Sequence, residues 1–268
     1  MSGRCKVLLL LFPIMLAAFG TCVLASPGGQ RGFFSAWWGT QKQDPYELLD
    51  PTAYWYPSED LNNTDRILGI ASTNTVNTAT VSANGWEFNG TSQYLDMGFP
   101  PEIELDTNLL YSMAVWVWAP AANDSTRGIM GKTYQGLGDR WGINANSSQG
   151  HRGFIEENAV QVAVSGLTGY QSNIWYHLVM TVDRSQPNNF FFYRDGILTG
   201  SASYQDTDPI TYDEGVNVPF RFGSFNDGAG QPALYWNGYI DQAAVWTGRA
   251  LTSNEVFNLF EQTKAGRK

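Results

Sequence analysis

From Tyr54 onward the chain is a succession of short strand-forming phrases, and this punctuation constrains the fold more than any other feature. "GWEFNGTSQYLDMG", "YSMAVWVWAP", "WGINANSSQG", "RGFIEENAVQVAVSG", "NIWYHLVMTVDRSQPNNFFFYRDG", "VPFRFGSFNDG" and "LYWNGYIDQAAVWTG" follow one another in that order. Each carries aromatic and β-branched residues, which suit a pleated, half-buried surface, and Gly, Asn or Asp separates them. That is an all-β pattern. "GWEFNGTSQYLDMG" reads as two short strands around an Asn89-Gly90 turn. "YSMAVWVWAP" is apolar on both faces, as a strand in the middle of a sandwich must be. One helix is signalled, at the end. In "LTSNEVFNLF", Thr252 is the N-cap and Glu255 closes a capping box, with Leu251 and Val256 placed as a hydrophobic staple. Val256, Leu259 and Phe260 form its apolar stripe.

Chemistry-bearing residues are few. His177 is one of only 2 histidines. Strand alternation puts Trp175, His177, Val179 and Thr181 on one face, and Tyr176, Leu178, Met180 and Val182 on the other. No serine, cysteine or carboxylate motif converges on this histidine, so it reads as a hydrogen-bonded structural residue rather than a base. Asp195-Gly196 fits a type I′ hairpin turn, and Asp183 caps the loop "DRSQPNN".

The first 25 residues read as a secretory signal. Arg4 and Lys6 precede the apolar run Val7 to Phe19, which is too short to span a bilayer, and small Ala25 stands at a cleavage point. "FGTC" is a poor match to a lipidation site at Cys22. Residues 26–52 read as a linker or N-terminal strap, with Phe33, Phe34, Trp37 and Trp38 docking on their own domain, and residues 53–268 as one domain. Cleavage would remove Cys5 and Cys22, leaving no disulfide or thiol ligand. It would also move the formal net charge from −9 to −11, the loss of Arg4 and Lys6. An acidic balance excludes nucleic acid as a partner. The expected location is extracellular or at the cell surface, with no stable membrane span after signal removal.

Ligand-binding candidates lie in turns near the sheet ends: Tyr134, Arg140, Trp141, Phe225, Asn226, Asp227, Tyr235 and Trp236. Aromatic rings present flat faces to sugars, and the amide, carboxylate and guanidinium groups can bond hydroxyls. Trp118 is a further candidate on the concave sheet. "QGLGDRWG" lacks the spacing of a phosphate loop. Asp206, Asp208, Asp213 and Glu214 in "QDTDPITYDEG" are hard oxygen ligands in a loop without the glycine of an EF-hand. N-x-Ser/Thr occurs at Asn62, Asn89, Asn123 and Asn146.

The ordered phrases, with Trp175-x-His177, Tyr193-x-Asp195-Gly196 and Gly238-x-Ile240-Asp241 ahead of the helix cap, resemble the laminin-G-like, concanavalin A-like family over roughly Tyr54 to Phe260. The resemblance implies a two-sheet antiparallel jelly-roll sandwich with a short C-terminal helix. It implies a non-catalytic recognition module that binds a glycan or a surface protein through loops at the sandwich rim. Many such sandwiches hold a structural Ca²⁺, for which Asp241 is the matching position and Asn89 a second ligand. The enzymatic alternative is a glycoside hydrolase or lyase on the same scaffold. Only "EIELD" offers it carboxylates, as Glu102, Glu104 and Asp106, and their order differs from the Glu-x-Asp-x-Glu of laminarinase-type enzymes. A surface structural or assembly protein is the third possibility.

Overall fold

The computed structural model describes residues 43–267 apart from 106–108, 122–125, 134–139, 147–149, 158–159, 167–168, 170, 205–217 and 228–230. The expected signal segment, Trp37 and Trp38, Tyr134, and the acidic run from Asp206 to Glu214 therefore lie outside the described residues. In chain order the elements are β1 (Ala53–Trp55), α1 (Pro57–Asp60), β2 (Thr80–Ser82), β3 (Gly85–Asn89), β4 (Leu95–Asp96), β5 (Leu110–Trp118), β6 (Arg127–Lys132), β7 (Arg140–Asn146) and β8 (Gly150–Glu157). They continue with β9 (Val160–Ser165), β10 (Trp175–Asp183), β11 (Phe190–Arg194), β12 (Ile197–Ala202), β13 (Phe220–Phe222), β14 (Phe225–Asn226), β15 (Pro232–Ala233), β16 (Asn237–Thr247) and α2 (Ser253–Thr263).

Two antiparallel sheets carry the architecture. The larger runs β12-β11-β10-β5-β16-β3-β2, with β1 also pairing β16, and the smaller runs β4-β13-β6-β7-β8-β9. β5 lies between β10 and β16, which explains its two apolar faces. Its residues Tyr111, Met113, Val115 and Val117 face inward and share one core with Trp141, Ile143 and Ile155 of the smaller sheet. Tyr176, Leu178, Met180 and Val182 of β10 join this core, so the alternation expected for that strand is the one observed. The molecule is a two-layer sandwich in which facing apolar stripes exclude water.

The outer face of the larger sheet is also covered. Tyr46, Tyr54, Ala114, Val179, Tyr193, Ala244 and Trp246 form a second core with Leu251, Val256 and Leu259 around α2. The capping box of Thr252 and Glu255 is present in both directions. Residues 43–50 are part of the folded body: Tyr46 is fully buried and stacks on Tyr54 at 4.9 Å.

The two short strands expected around the Asn89-Gly90 turn are β3 and β4. They do not pair with each other: β3 pairs β2 and β16 in the larger sheet while β4 pairs β13 in the smaller. Asn89 Oδ1 instead accepts from the backbone N–H groups of Thr91, Ser92 and Gln93 at 3.0, 3.0 and 3.2 Å, and this turn carries the chain between layers. The hairpin is the one before it, where Ser82 pairs Gly85. Among the described residues no helix is long and apolar enough to cross a membrane.

Candidate functional site

The outer face of the smaller sheet carries a cavity of about 310 Å³. Strand alternation builds it. On β7, Trp141, Ile143 and Ala145 point into the core, so Arg140 and Asn144 point out. On β8, Ile155 points in and Arg152, Phe154 and Glu156 point out; on β9, Gln161 does the same. The register places Arg152 opposite Asn144 and Arg140 opposite Glu156. The β14–β15 hairpin closes one side with Phe225, Asn226 and Leu234, and Thr126 and Thr133 complete the lining.

The floor is aromatic and the walls are polar. Phe154 and Phe225 meet edge to face at 5.7 Å. Phe225 fits there because Gly128 has no side chain: a Cβ at Gly128 would lie 2.5 Å from its ring. The Arg152 guanidinium sits 5.7 Å from the centre of the Phe154 ring and that of Arg140 sits 6.0 Å from it. Arg152 Nε donates to Asn144 Oδ1 at 2.8 Å, and Arg140 reaches Glu156 Oε2 through Nε at 2.7 Å and Nη2 at 2.6 Å. Burial, then the positive charge of Arg140, lowers the pKa of Arg152, with Glu156 acting against both. Two buried polar atoms in the lining, Asn226 Oδ1 and Thr133 Oγ1, have no hydrogen-bond partner. Buried oxygens without partners are uncommon because desolvation leaves them uncompensated.

Of the expected ligand contacts, Arg140, Phe225 and Asn226 come together in this cavity. Trp141 and Trp236 do not, since both are fully buried in the core between the sheets. Their rings fill volume that the two facing layers would otherwise leave empty. Asp227 Oδ1 accepts from Gln231 N at 2.9 Å and ties the β14–β15 turn. Tyr235 donates to Pro232 O at 2.6 Å and lies 6.4 Å from Tyr94, outside the lining. Trp118 belongs to the larger sheet and packs on Tyr239 at 5.3 Å. Absent from the expected set are Asn144, Arg152, Phe154 and Gln161. For the first three the signal is the alternation in "RWGINAN" and "HRGFIEE", where Arg140, Asn144, Arg152, Phe154 and Glu156 fall at places opposite the core set, and Gln161 in "VQVAVS" follows the same rule.

The other candidates are engaged elsewhere. His177 is fully buried, with Nε2 2.9 Å from the Tyr46 hydroxyl and its ring 5.0 Å from Trp116. Asp195 Oδ1 accepts from His177 N at 2.9 Å, and Asp195 and Gly196 have φ of 55° and 76°, the left-handed pair a type I′ turn needs. Asp183 Oδ1 accepts from Ser185 N at 3.0 Å and caps its loop. "EIELD" is no extended strand: Pro101–Ile103 is a 3₁₀ turn, Glu104 is bound through both oxygens by Lys132 Nζ at 2.6 Å, and Asp106 is outside the described residues.

Asp241 and Asn89 do not fit a shared calcium site. Asp241 is fully buried, accepts from Ser58 N at 3.0 Å and Ser58 Oγ at 2.6 Å, and pairs with Arg267 Nη2 at 2.5 Å. A guanidinium already supplies the positive charge there. Asn89 pairs Asn237, four residues from Asp241, which is about 13 Å along a strand. Among the described residues no group of 3 or more His, Cys, Asp or Glu side chains is placed to hold a metal ion.

Residues 89–257 match the family model described as the concanavalin A-like lectin/glucanases superfamily. The chain belongs to that superfamily. No curated protein sequence matches this lectin/glucanase-type chain. Among solved structures, it is similar to domain 4 of AbnA, a GH43 extracellular arabinanase from Geobacillus stearothermophilus in complex with arabinotriose, at 18 % identity and a TM-score of 0.56, covering 78 % of this chain and 97 % of that one. The CBM40 of Ruminococcus gnavus IT-sialidase, bound to α2,3 sialyllactose, matches at 11 % identity and a TM-score of 0.53, over 66 % of this chain and 96 % of that one. The binding domain of botulinum neurotoxin serotype G matches at 15 % identity and a TM-score of 0.58, over 81 % of this chain and 52 % of that one. At these identities the likeness is one of fold.

Proposed function

We propose that this is a secreted, non-catalytic recognition protein that holds a glycan in the cavity on the outer face of the smaller sheet and so attaches to a glycan-bearing surface. The observation that carries the reading is the lining: an aromatic floor of Phe154 and Phe225 beneath polar walls in which Asn226 Oδ1 and Thr133 Oγ1 have no partner. A sugar's hydroxyls supply the complement for the oxygens, above a packed apolar base formed by the buried Phe154 and Phe225. The arabinotriose and sialyllactose complexes of its fold neighbours support the ligand class. The export part rests on the basic-then-apolar opening of the chain. The non-catalytic part is supported by the state of the carboxylates: Glu104 is held by Lys132 and Glu156 by Arg140.

The test is a glycan array with the full chain, followed by titration of the best ligand against Asn226→Ala. A hydrogen bond to a buried group is worth about 1 kcal/mol or more, so affinity falls roughly tenfold while the melting temperature changes little. An array with no bound glycan overturns the reading. Sugar release by the wild type that Glu104→Gln abolishes would make it an enzyme instead.

A further inference from the structure

The N-x-Ser/Thr stretches at Asn62, Asn89, Asn123 and Asn146 play no part in the cavity's reading. Each is an acceptor pattern for glycan attachment in an exported chain. Asn123 lies outside the described residues, and the fold treats the other three differently. Asn146 is half-buried at the end of β7, and its Nδ2 donates to Thr126 Oγ1 at 2.9 Å. Asn89 is exposed, but its side chain is already the cap that turns the chain between layers. Its Oδ1 accepts from the three backbone N–H groups of Thr91, Ser92 and Gln93, and its Nδ2 donates to Ser92 Oγ at 3.1 Å. Asn62 is exposed, its Oδ1 accepts from Thr64 N at 2.8 Å, and its Nδ2 makes only a long contact, 3.4 Å to Asp60 O. The oxygen fixes the direction of this side chain, and the amide nitrogen is left to solvent.

The surroundings of Asn62 give a second reason. Leu61, Ile67 and Leu68 are exposed apolar side chains. Ile67 and Leu68 stand in a loop closed by the Thr64–Ala71 bridge and pinned by Asp65, whose carboxylate accepts from the N–H groups of Ile67, Leu68 and Ile70. Asn62 follows Leu61 directly and lies two residues before that bridge. A bulky hydrophilic glycan there would shield apolar surface that is otherwise open to water.

We propose that Asn62 is a site of covalent N-glycosylation. The inference rests on the export part of the proposed function and is independent of the cavity. The co-reactant is a lipid-linked oligosaccharide diphosphate of the secretory membrane. A bond forms between Asn62 Nδ2 and the anomeric carbon of the first sugar. The bond from that carbon to the diphosphate oxygen breaks, the diphosphate leaves with the electron pair, and one Nδ2 hydrogen departs as a proton. The second N–H and Oδ1 remain, so the bond from Thr64 N is kept.

The experiment expresses the full chain in a secretory host that N-glycosylates and takes the exported protein. Peptide-N-glycosidase converts a glycosylated Asn to Asp, which peptide mass spectrometry reads position by position. Position 62 reads as Asp and is occupied more fully than 89 or 146. Thr64→Ala loses the glycan at 62, whereas Thr64→Ser keeps it, a contrast that a merely structural role of the loop would not produce. An exported chain that keeps Asn at 62, or carries more glycan at 89 or 146 than at 62, overturns the inference and leaves the glycan-binding cavity standing. Retention inside the cell overturns the export reading instead. A version with the host's own signal in place of residues 1–25 then decides Asn62 by the same readout.

Discussion

His177 shows what a single residue can and cannot disclose. Its placement between Trp175 and Val179 on a strand marks it as structural, and the buried ring bonded to Tyr46 agrees. Tyr46 itself was not legible as its partner, because 131 residues separate them and no periodicity crosses that distance. Burial, aided by the positive charge of Arg267, lowers the pKa of His177 to about 3. Trp116, Tyr46 and Phe260 surround the ring and offer no carboxylate to offset this. An unfolded histidine titrates near 6.5, so between those values the unfolded chain takes up a proton that the folded chain refuses. Stability from this site is therefore present above about pH 6.5 and is lost as pH falls toward 3. His151, lowered to about 3 by burial and Arg194, acts in the same direction. The melting temperature should drop on going from pH 7 to pH 4, and His177→Gln should show a shallower drop than wild type. Parallel curves would mean that His177 does not titrate in unfolding. Equally local, the Asp195-Gly196 turn was readable because two left-handed residues in succession need the residue types found there.

Elements reveal more, up to the point where a sheet must be chosen. The C-terminal helix was legible to its cap, since a capping box is a contact between near neighbours in sequence. The Asn89-Gly90 turn was legible as a turn and no further, for the opposite reason: turn chemistry fixes a change of direction and says nothing about which layer the next strand joins. Asp241 shows the same limit, for the guanidinium that pairs with it belongs to Arg267, beyond the helix, and nothing in the strand phrase announces it. These two features differ in the stability they carry. Thr252→Ala removes one exposed cap and should cost about 1 kcal/mol in urea denaturation. Arg267→Met leaves the buried Asp241 carboxylate with Ser58 alone and no counter-charge, and should cost about 3 kcal/mol. Equal losses, or a larger one at Thr252, would show that Asp241 is satisfied without Arg267.

At the scale of the molecule, the two outer faces are treated differently. That of the larger sheet is covered by Tyr46 and α2, whereas that of the smaller sheet keeps its polar residues around a cavity. The all-β class was legible because strand phrases and turns are written locally. The cavity was not, because β7, β8, β9 and the β14–β15 hairpin meet only through long-range pairing, and which alternate residues face outward depends on which sheet each strand enters. Hydrogen exchange on the full chain, with and without the glycan identified on the array, tests this division. Ligand binding slows opening of the segments it bridges. Protection should rise in peptides spanning 140–157 and 225–234, and remain unchanged in 110–118 and 253–263. The competing location is the half-buried aromatic row Trp175, Trp118 and Tyr239, aligned by register across β10, β5 and β16 on the covered side. Rings so close together serve first as cross-strand packing, and no buried polar atom without a partner lies among them. Protection confined to that row would move the glycan to the other face of the sandwich and leave the Arg152 cavity without a ligand.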